Sequence, residues 1–337
     1  MNAENAKILV VGGGAIGGIT AAFLSKAGRN VGVAEKNAAI VSCIRGEGLH
    51  VSGVGGEFRV RLPAYAGIEE VPDKADVVLL ATKATTLPGV AEALKPVLGE
   101  GSRVVSLQNG FCVETIAAVL GADAVVGCVI DWGATMHSPG ELEMTSKGDF
   151  IVGRLDGRVD DALRAVREIL TAVRPTEISV NIMGHIYAKL VINSCVTTLG
   201  AVSGLNLGKM LAAKQARIIF IGLIREAMNV AGAAGLRIEP HVHLDFASFL
   251  RGDSLLGNLK RHLLIRLIGF KYRRLKSSSL QSLERGEKTE IDHLNGYIAG
   301  KGRALGVPTP LNDRLVTMVK EIEAGTRPIS PANLSDL

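Results

Sequence analysis

Lys7-Ile8-Leu9-Val10-Val11-Gly12-Gly13-Gly14-Ala15-Ile16-Gly17-Gly18 runs a short apolar stretch straight into glycines at positions 12, 14 and 17. In this spacing each glycine has its own task. Gly12 allows the tight turn after a strand, Gly14 lets the backbone approach a pyrophosphate, and Gly17 lets the following helix pack close to the sheet. The NH groups of the first turn, from Gly13 through Ala15 and Ile16, would face the phosphates. Such triplets also arise by chance in glycine-rich loops, and the chain has 40 glycines. The flanks decide between the two readings. Residues 8–11 read as a buried parallel strand, 15–27 as a helix closed by Gly28, and 30–35 as a second strand, which completes a β-α-β unit. A phosphate-bearing cofactor is therefore expected.

The alternation continues outward. Residues 76–82 and 103–107 are β-branched apolar runs with a helical pattern at 87–98 between them, as in a parallel, doubly wound sheet of the Rossmann type. The glycine-rich stretch 48–63 suggests an extra hairpin. Further strands are expected at 125–135, 150–153 and 177–180, with a helix over 159–173. From about Gly184 apolar residues recur every three or four positions, through 186–199, 209–234, 277–301 and 311–324. The expected architecture is α/β, with a dinucleotide-binding domain over 1–182, an all-helical substrate domain over 183–330 and the active site in a cleft between them.

Composition narrows the function. The 337 residues suffice for two domains, and 47% apolar with 21% charged residues indicates a soluble globular protein. No apolar run reaches the roughly 20 residues that cross a bilayer, and the first strand starts too early to leave room for a secretory leader. The expectation is a cytoplasmic protein without a membrane partner. Cys43, Cys112, Cys128 and Cys195 are widely spaced and form no C-x-x-C pair, so reduced thiols and no metal site are expected. The net charge of +5 is explained by anionic ligands, and 4% aromatic residues provide no base-stacking platform, so no nucleic acid is expected.

Ligands of such sheets bind at the carboxyl ends of the strands. Those ends carry Glu35-Lys36, Thr82-Lys83 and Gln108-Asn109-Gly110. Lys83 and Asn109 would lie near the nicotinamide or the substrate. Glu35-Lys36 is ambiguous: an acid there binds a free ribose 2′-hydroxyl and favours NAD, whereas Lys36, with Arg45, could close over a 2′-phosphate and favour NADP. In the helical half, Lys189 and Asn193 stand one turn apart on one face of an apolar helix. A lysine there is costly to bury, and a buried ammonium can polarise a ketone and then release a proton. Spacing alone does not interpret Ser278, Glu290 or Asn295.

Taken together, five motifs in order resemble the ketopantoate reductase family (2-dehydropantoate 2-reductases), within the 6-phosphogluconate-dehydrogenase-like superfamily. They are Gly12 to Gly17, Thr82-Lys83, Leu107 to Gly110, Lys189 to Asn193, and Ser278 to Gln281 with Thr289-Glu290-Ile291-Asp292 and Asn295-Gly296. The resemblance implies hydride transfer from NADPH to a 2-keto acid, ketopantoate to pantoate being the namesake reaction of pantothenate and coenzyme A biosynthesis. It assigns Lys189 as general acid and Glu290 as the carboxylate that orients that lysine and the substrate and reaches the cofactor. Asn193, Thr197, Ser278 and Asn109 would contact the substrate, and Lys83 and Asn109 would line the cofactor. A homodimer is compatible with it.

This chain departs from the family pattern in two places. Thr197-Thr198 stands where a second asparagine followed by proline is usual, so one substrate hydrogen bond is either lost or replaced by a hydroxyl. Lys36, preceded by Glu35, stands where an arginine is usual, which weakens the NADP preference. Reduction of another 2-keto acid, an opine-type imine reduction, or a nucleotide sensor without catalysis are the competing readings. A basic apolar segment, 260–276, is longer than the family leads one to expect. It reads as an inter-helix segment whose charges face water or draw in anionic substrate and cofactor, the other reading being a membrane-surface or anion-binding helix.

Overall fold

The computed structural model describes residues 2–242, 244–252 and 254–337. The chain divides into two compact units. One holds the residues up to Gln108 together with Cys112–Met183; the other holds Asn109–Phe111 and Gly184–Leu337.

The first unit contains, in order, β1 (Ile8–Val11), α1 (Ala15–Lys26), β2 (Val31–Ala34), α2 (Ala38–Gly46), β3 (Leu49–Gly53), β4 (Phe58–Val60), β5 (Ala64–Tyr65), β6 (Ala75–Leu80), α3 (Leu87–Leu94), β7 (Leu98–Ser106), α4 (Val113–Leu120), β8 (Val125–Ile130), β9 (Ala134–Ser138), β10 (Glu141–Met144), β11 (Phe150–Arg154), α5 (Asp161–Thr171) and β12 (Thr176–Ile178). Its main sheet has the order β12-β11-β8-β7-β6-β1-β2-β5. β1 is parallel to β2 on one side and to β6 on the other, with Val10 opposite Val33 and Leu79. The chain thus winds outward in both directions from β1, and a crevice opens at the carboxyl ends of β1 and β6. Every residue of β1 and β2 is buried, as expected for strands covered on both faces.

Three features differ from the sequence expectation. The 125–135 run is not one strand: β8 ends at Ile130, and β9 enters a second sheet of order β4-β3-β10-β9. The hairpin expected at 48–63 forms, with Val51 opposite Phe58, but as part of that second sheet. β11 runs antiparallel to β8, with Val152 opposite Cys128, so the main sheet is mixed rather than wholly parallel. The short Glu-Leu-Glu-Met of β10 carries too little pattern to be read alone.

α1 lies between the two sheets. Phe23 meets the Phe58 ring edge-on at 5.0 Å, and a Cβ placed on Gly18 would come within 2.7 Å of Leu142 Cδ1. Covered on both sides, α1 buries Gly17 through Ala22 and Leu24 rather than a single stripe.

The second unit contains α6 (Ile182–Ser203), which begins at its boundary, followed by α7 (Leu207–Ala212), α8 (Lys214–Ala233), α9 (Phe246–Leu250), α10 (Leu255–Lys271), α11 (Ser278–Glu284), α12 (Asn295–Leu305) and α13 (Pro310–Glu323). α6 is long and apolar enough to cross a membrane by length and composition, but 78% of that stretch is buried inside the protein, where it serves as a core helix. The expected helix over 277–301 is broken. α11 ends at Glu284, Gly286 just beyond it has φ of 69°, and a single 3₁₀ turn at Ile291–His293 precedes α12.

Because β11 is antiparallel, its last residue, Arg154, is delivered buried to the amino-terminal edge of the sheet. There it donates to Asp123 at 3.1 Å and lies 3.7 Å from Asp160. Asp160 also caps α5, accepting from Leu163 N at 2.7 Å. Burial alone would raise the Asp160 carboxyl. The Leu163 NH and the Arg154, Arg103 and Arg158 guanidiniums nevertheless hold it below the ordinary aspartate range. A lowered folded-state pKa contributes stability above the unfolded value of about 4 that is lost as pH falls through the folded value. Asp160→Asn keeps a capping acceptor but removes the charge. It is expected to cost about 1–2 kcal/mol at neutral pH and to flatten the acid limb of thermal stability measured against pH.

Candidate active site

Two backbone contacts set the geometry of the β1–α1 turn. Gly12 has φ of 103°, and a Cβ there would lie 2.9 Å from the Ala81 carbonyl at the end of β6. A Cβ on Gly17 would lie 1.9 Å from Gly12 O, so α1 starts directly against the turn that launches it. At Gly14, by contrast, a Cβ would meet nothing within 4 Å. That open side is where a phosphate could approach the backbone.

A cavity of about 340 Å³ opens here, and it gathers Gly12, Gly14, Glu35, Lys36, Thr82 and Lys83. It also takes in Gly67, Ile68, Thr86 and Val90, which the sequence analysis did not select. Gly67 and Ile68 follow β5, whose two residues are too few to register as a strand. Gln108 joins the ends of β6 and β7, donating through Nε2 to Thr82 Oγ1 at 3.3 Å.

Glu35 is held at the end of β2. Its carboxylate accepts from Gly13 N at 2.7 Å and from Asn37 N at 2.8 Å. The acid is thus fixed against the glycine turn itself, while Lys36 is exposed. Arg45 does not close over this end: its Nε donates to Ala64 O at 2.9 Å and its Nη2 to Glu70 at 3.0 Å. Hydrogen bonds from Ala66 N and Arg45 hold the Glu70 carboxyl below its usual range, despite some opposing desolvation.

In the second unit, Lys189, Asn193 and Thr197 recur one turn apart on α6. Lys189 and Asn193 are half-buried and Thr197 is buried, so Lys189 is less enclosed than the apolar sequence around it suggested. Phe111 ties this helix to the other chemical segments of the unit. It lies edge-on to Tyr187 at 5.8 Å and stacks on Tyr297 at 4.9 Å. Gly110, with φ of 86°, packs on the His293 carbonyl, which a Cβ would approach to 2.6 Å. The exposed Asn109 is thereby presented beside the turn that carries Glu290.

That turn is pinned to α13. Thr289 donates to Glu323 Oε1 from its backbone N at 2.8 Å and from its hydroxyl at 2.7 Å, and Asp292 pairs with Lys320 at 2.6 Å. Glu290 sits half-buried between these anchors. Ser278, in contrast, lies exposed in the first turn of α11, while its neighbour Ser277 is the buried cap that accepts from Leu280 N.

Behind the turn runs a buried polar chain that sequence reasoning missed. Thr198 Oγ1 donates to Asn295 Oδ1 at 2.5 Å, and Asn295 Nδ2 donates to Ser194 O at 3.1 Å and to Asn312 Oδ1 at 3.0 Å. Asn312 in turn donates to Glu226 from Nδ2 at 2.7 Å and from its backbone N at 3.1 Å. Thr198, where the family usually has proline, supplies a donor that a proline ring lacks. The one hint in the sequence was Glu226, the single acid of α8 and one that lies among its buried positions.

Comparison with known proteins agrees with this geometry. The family model described as ketopantoate reductase PanE/ApbA matches residues 8–157, and the model of its C-terminal part matches residues 181–323. The chain is 28% identical over 322 residues to a 2-dehydropantoate 2-reductase of Aquifex aeolicus, covering 94% of this chain and 97% of that protein. A PanE/ApbA family ketopantoate reductase from Ralstonia eutropha JMP134 superposes with a TM-score of 0.81 at 28% identity, covering 95% of this chain and 99% of the other. D-mandelate dehydrogenase, solved with NADH and anilino(oxo)acetate, shares the fold with a TM-score of 0.81 at 22% identity, covering 95% and 99%.

The polar chain can be tested separately from the chemistry. Asn295→Leu strands the Thr198 hydroxyl and the Asn312 carbonyl in the interior, and is expected to cost about 3 kcal/mol in denaturant unfolding. A cost below 1 kcal/mol would show that water replaces the amide.

Proposed function

The chain belongs to the ketopantoate reductase family, and we propose that it reduces ketopantoate to pantoate with a nicotinamide dinucleotide. It is an oxidoreductase of that family. The reading is carried by the gathering of the glycine turn, Glu35 and Thr82-Lys83 around one cavity at the sheet's switch point. The residues suit a dinucleotide. Gly14 leaves the backbone open, the start of α1 presents NH groups for the pyrophosphate, and an acid stands at the ribose position.

When bound, the cofactor supplies the hydride. The chain's own groups hold and protonate the substrate. Lys189 places an ammonium at the keto oxygen, stabilises the negative charge that grows there, and gives its proton to that oxygen. Glu290 orients the ammonium and favours its charged form until transfer. Asn193, with Thr197 one turn on, offers hydrogen bonds to the substrate hydroxyl, while Ser278 and Asn109 serve its carboxylate end.

On cofactor choice, the Glu35 geometry favours NADH over the NADPH that the family resemblance implies. A 2′-phosphate would meet a carboxylate already fixed by two NH groups, with Arg45 engaged by Glu70. A free 2′-hydroxyl could donate to that carboxylate instead.

Two experiments test these assignments. Lys189→Ala is expected to lower turnover of ketopantoate roughly 10²- to 10⁴-fold while leaving cofactor affinity nearly unchanged; retained turnover would remove the lysine from its role. Steady-state assays with each reduced cofactor should show higher kcat/KM with NADH. Glu35→Gln should move the NADH-to-NADPH ratio about 10- to 100-fold toward NADPH, and an unmoved ratio would take Glu35 out of the discrimination.

A further inference from the structure

α10 has two apolar sides, and only one is used. Its inner side is firmly docked: Ile265 is buried, and Gly269 packs on α7 so closely that a Cβ would lie 2.8 Å from Leu211 Cβ. The buried Arg261 guanidinium donates to the carbonyls of Leu250 at 3.0 Å and Gly252 at 2.8 Å, and to Asn258 at 2.6 Å. The outer side therefore does not belong to a loosely attached segment.

That outer side exposes Leu256 at 72%, Leu259 at 66%, Leu263 at 56%, Leu267 at 57% and Phe270 at 69%. At about 100° per residue these five fall within an arc of about 80° on the helix. Arg266 borders the arc on one edge; Lys260 and Lys271 border it on the other. All three are exposed. From Ser254 to Leu283 the chain carries seven lysines and arginines and no aspartate or glutamate. Arg273 and Arg274 extend the cationic margin beyond the helix, Arg273 lying 5.2 Å over the Phe270 ring.

We propose that this face of α10 rests on an anionic lipid surface, its leucines and Phe270 entering the headgroup boundary while Lys260, Arg266 and Lys271 reach the phosphates. A contiguous exposed apolar patch marks an interaction site, and an apolar stripe edged on both sides by long cations fits a helix lying in the plane of a membrane. The charge pattern disfavours a second copy of the chain. A two-fold contact sets the same patch against itself, which would bring cations against cations with no carboxylate in the segment to pair them.

Flotation of the full-length protein with vesicles tests the proposal. The protein is expected to float with equimolar phosphatidylcholine and phosphatidylglycerol, to stay behind with phosphatidylcholine alone, and to detach as salt is raised. Lys260→Gln combined with Lys271→Gln should lower partitioning about 25-fold, about fivefold per cation. Leu259→Ser, Leu263→Ser and Leu267→Ser together should abolish flotation; these side chains are exposed, and unchanged thermal melting would confirm that the variant still folds. Equal binding to neutral vesicles, or flotation that survives the leucine changes, would overturn the assignment. So would absence of flotation together with a dimer, seen by sedimentation equilibrium, that the leucine changes dissolve.

Discussion

The first unit is organised by one backbone approach: the α-carbon of Gly17 resting on the carbonyl of Gly12. Any side chain at position 17 would push α1 away from β1 and β6, and the crevice at their carboxyl ends would widen. The same closeness brings Gly13 N within 2.7 Å of the Glu35 carboxylate, so the turn that would receive the phosphates and the acid that would read the ribose are a single rigid object. The second sheet adds to this. By covering the outer side of α1 through Leu142 and Phe58, it holds the helix against the turn from the far side.

The second unit meets a different constraint, which is to keep a polar face on a helix that is otherwise core. α6 is buried over most of its length, yet it leaves Lys189 and Asn193 half-buried on one face. The groups behind that face have lost water, so each needs a protein partner. Thr198, Asn295, Asn312 and Glu226 meet that need as a continuous chain, which ends on a carboxylate that accepts from the backbone NH groups of Leu311 and Asn312 at the start of α13. The same helix, at its far end, provides Glu323 to hold Thr289. α13 therefore supports the site at both of its ends without contributing a residue to it.

These two constraints explain what could be read from the sequence. The Gly12–Gly17 turn, the strands beside it and the acid at Glu35 are local: their signals lie within one β-α-β unit and survive translation into structure. That Lys189 and Asn193 share one face of α6 was legible from their spacing of four within a helical pattern, whereas their roles rest on the family resemblance. Much of the remainder is non-local. Asn295 is 97 residues from Thr198, and Glu226 is 86 from Asn312, so no spacing rule connects them. The second sheet was hidden for a related reason. It is assembled from β3 and β4 early in the chain and β9 and β10 much later, each too short to show a period. The break before Glu290 was also unreadable, since Thr289-Glu290-Ile291-Asp292 continues a helical pattern and the Glu323 and Lys320 partners that help hold it as a turn lie about thirty residues away.

α10 separates two demands that are usually met together. A helix on the surface of a globular protein normally needs one apolar stripe, directed at the core, and spends its other face on charge. Here the core-facing stripe is small, built from Ile265, Gly269 and the stem of Arg261, whose head satisfies backbone carbonyls at the end of α9. Leu256, Leu259, Leu263 and Leu267 keep more than half of their surface in solvent. Their exposure on the outside, between Arg266 on one edge and Lys260 and Lys271 on the other, costs solubility. An apolar stripe edged by cations on both sides matches a surface that is apolar within and negatively charged at its boundary, which is the chemistry of an anionic lipid layer.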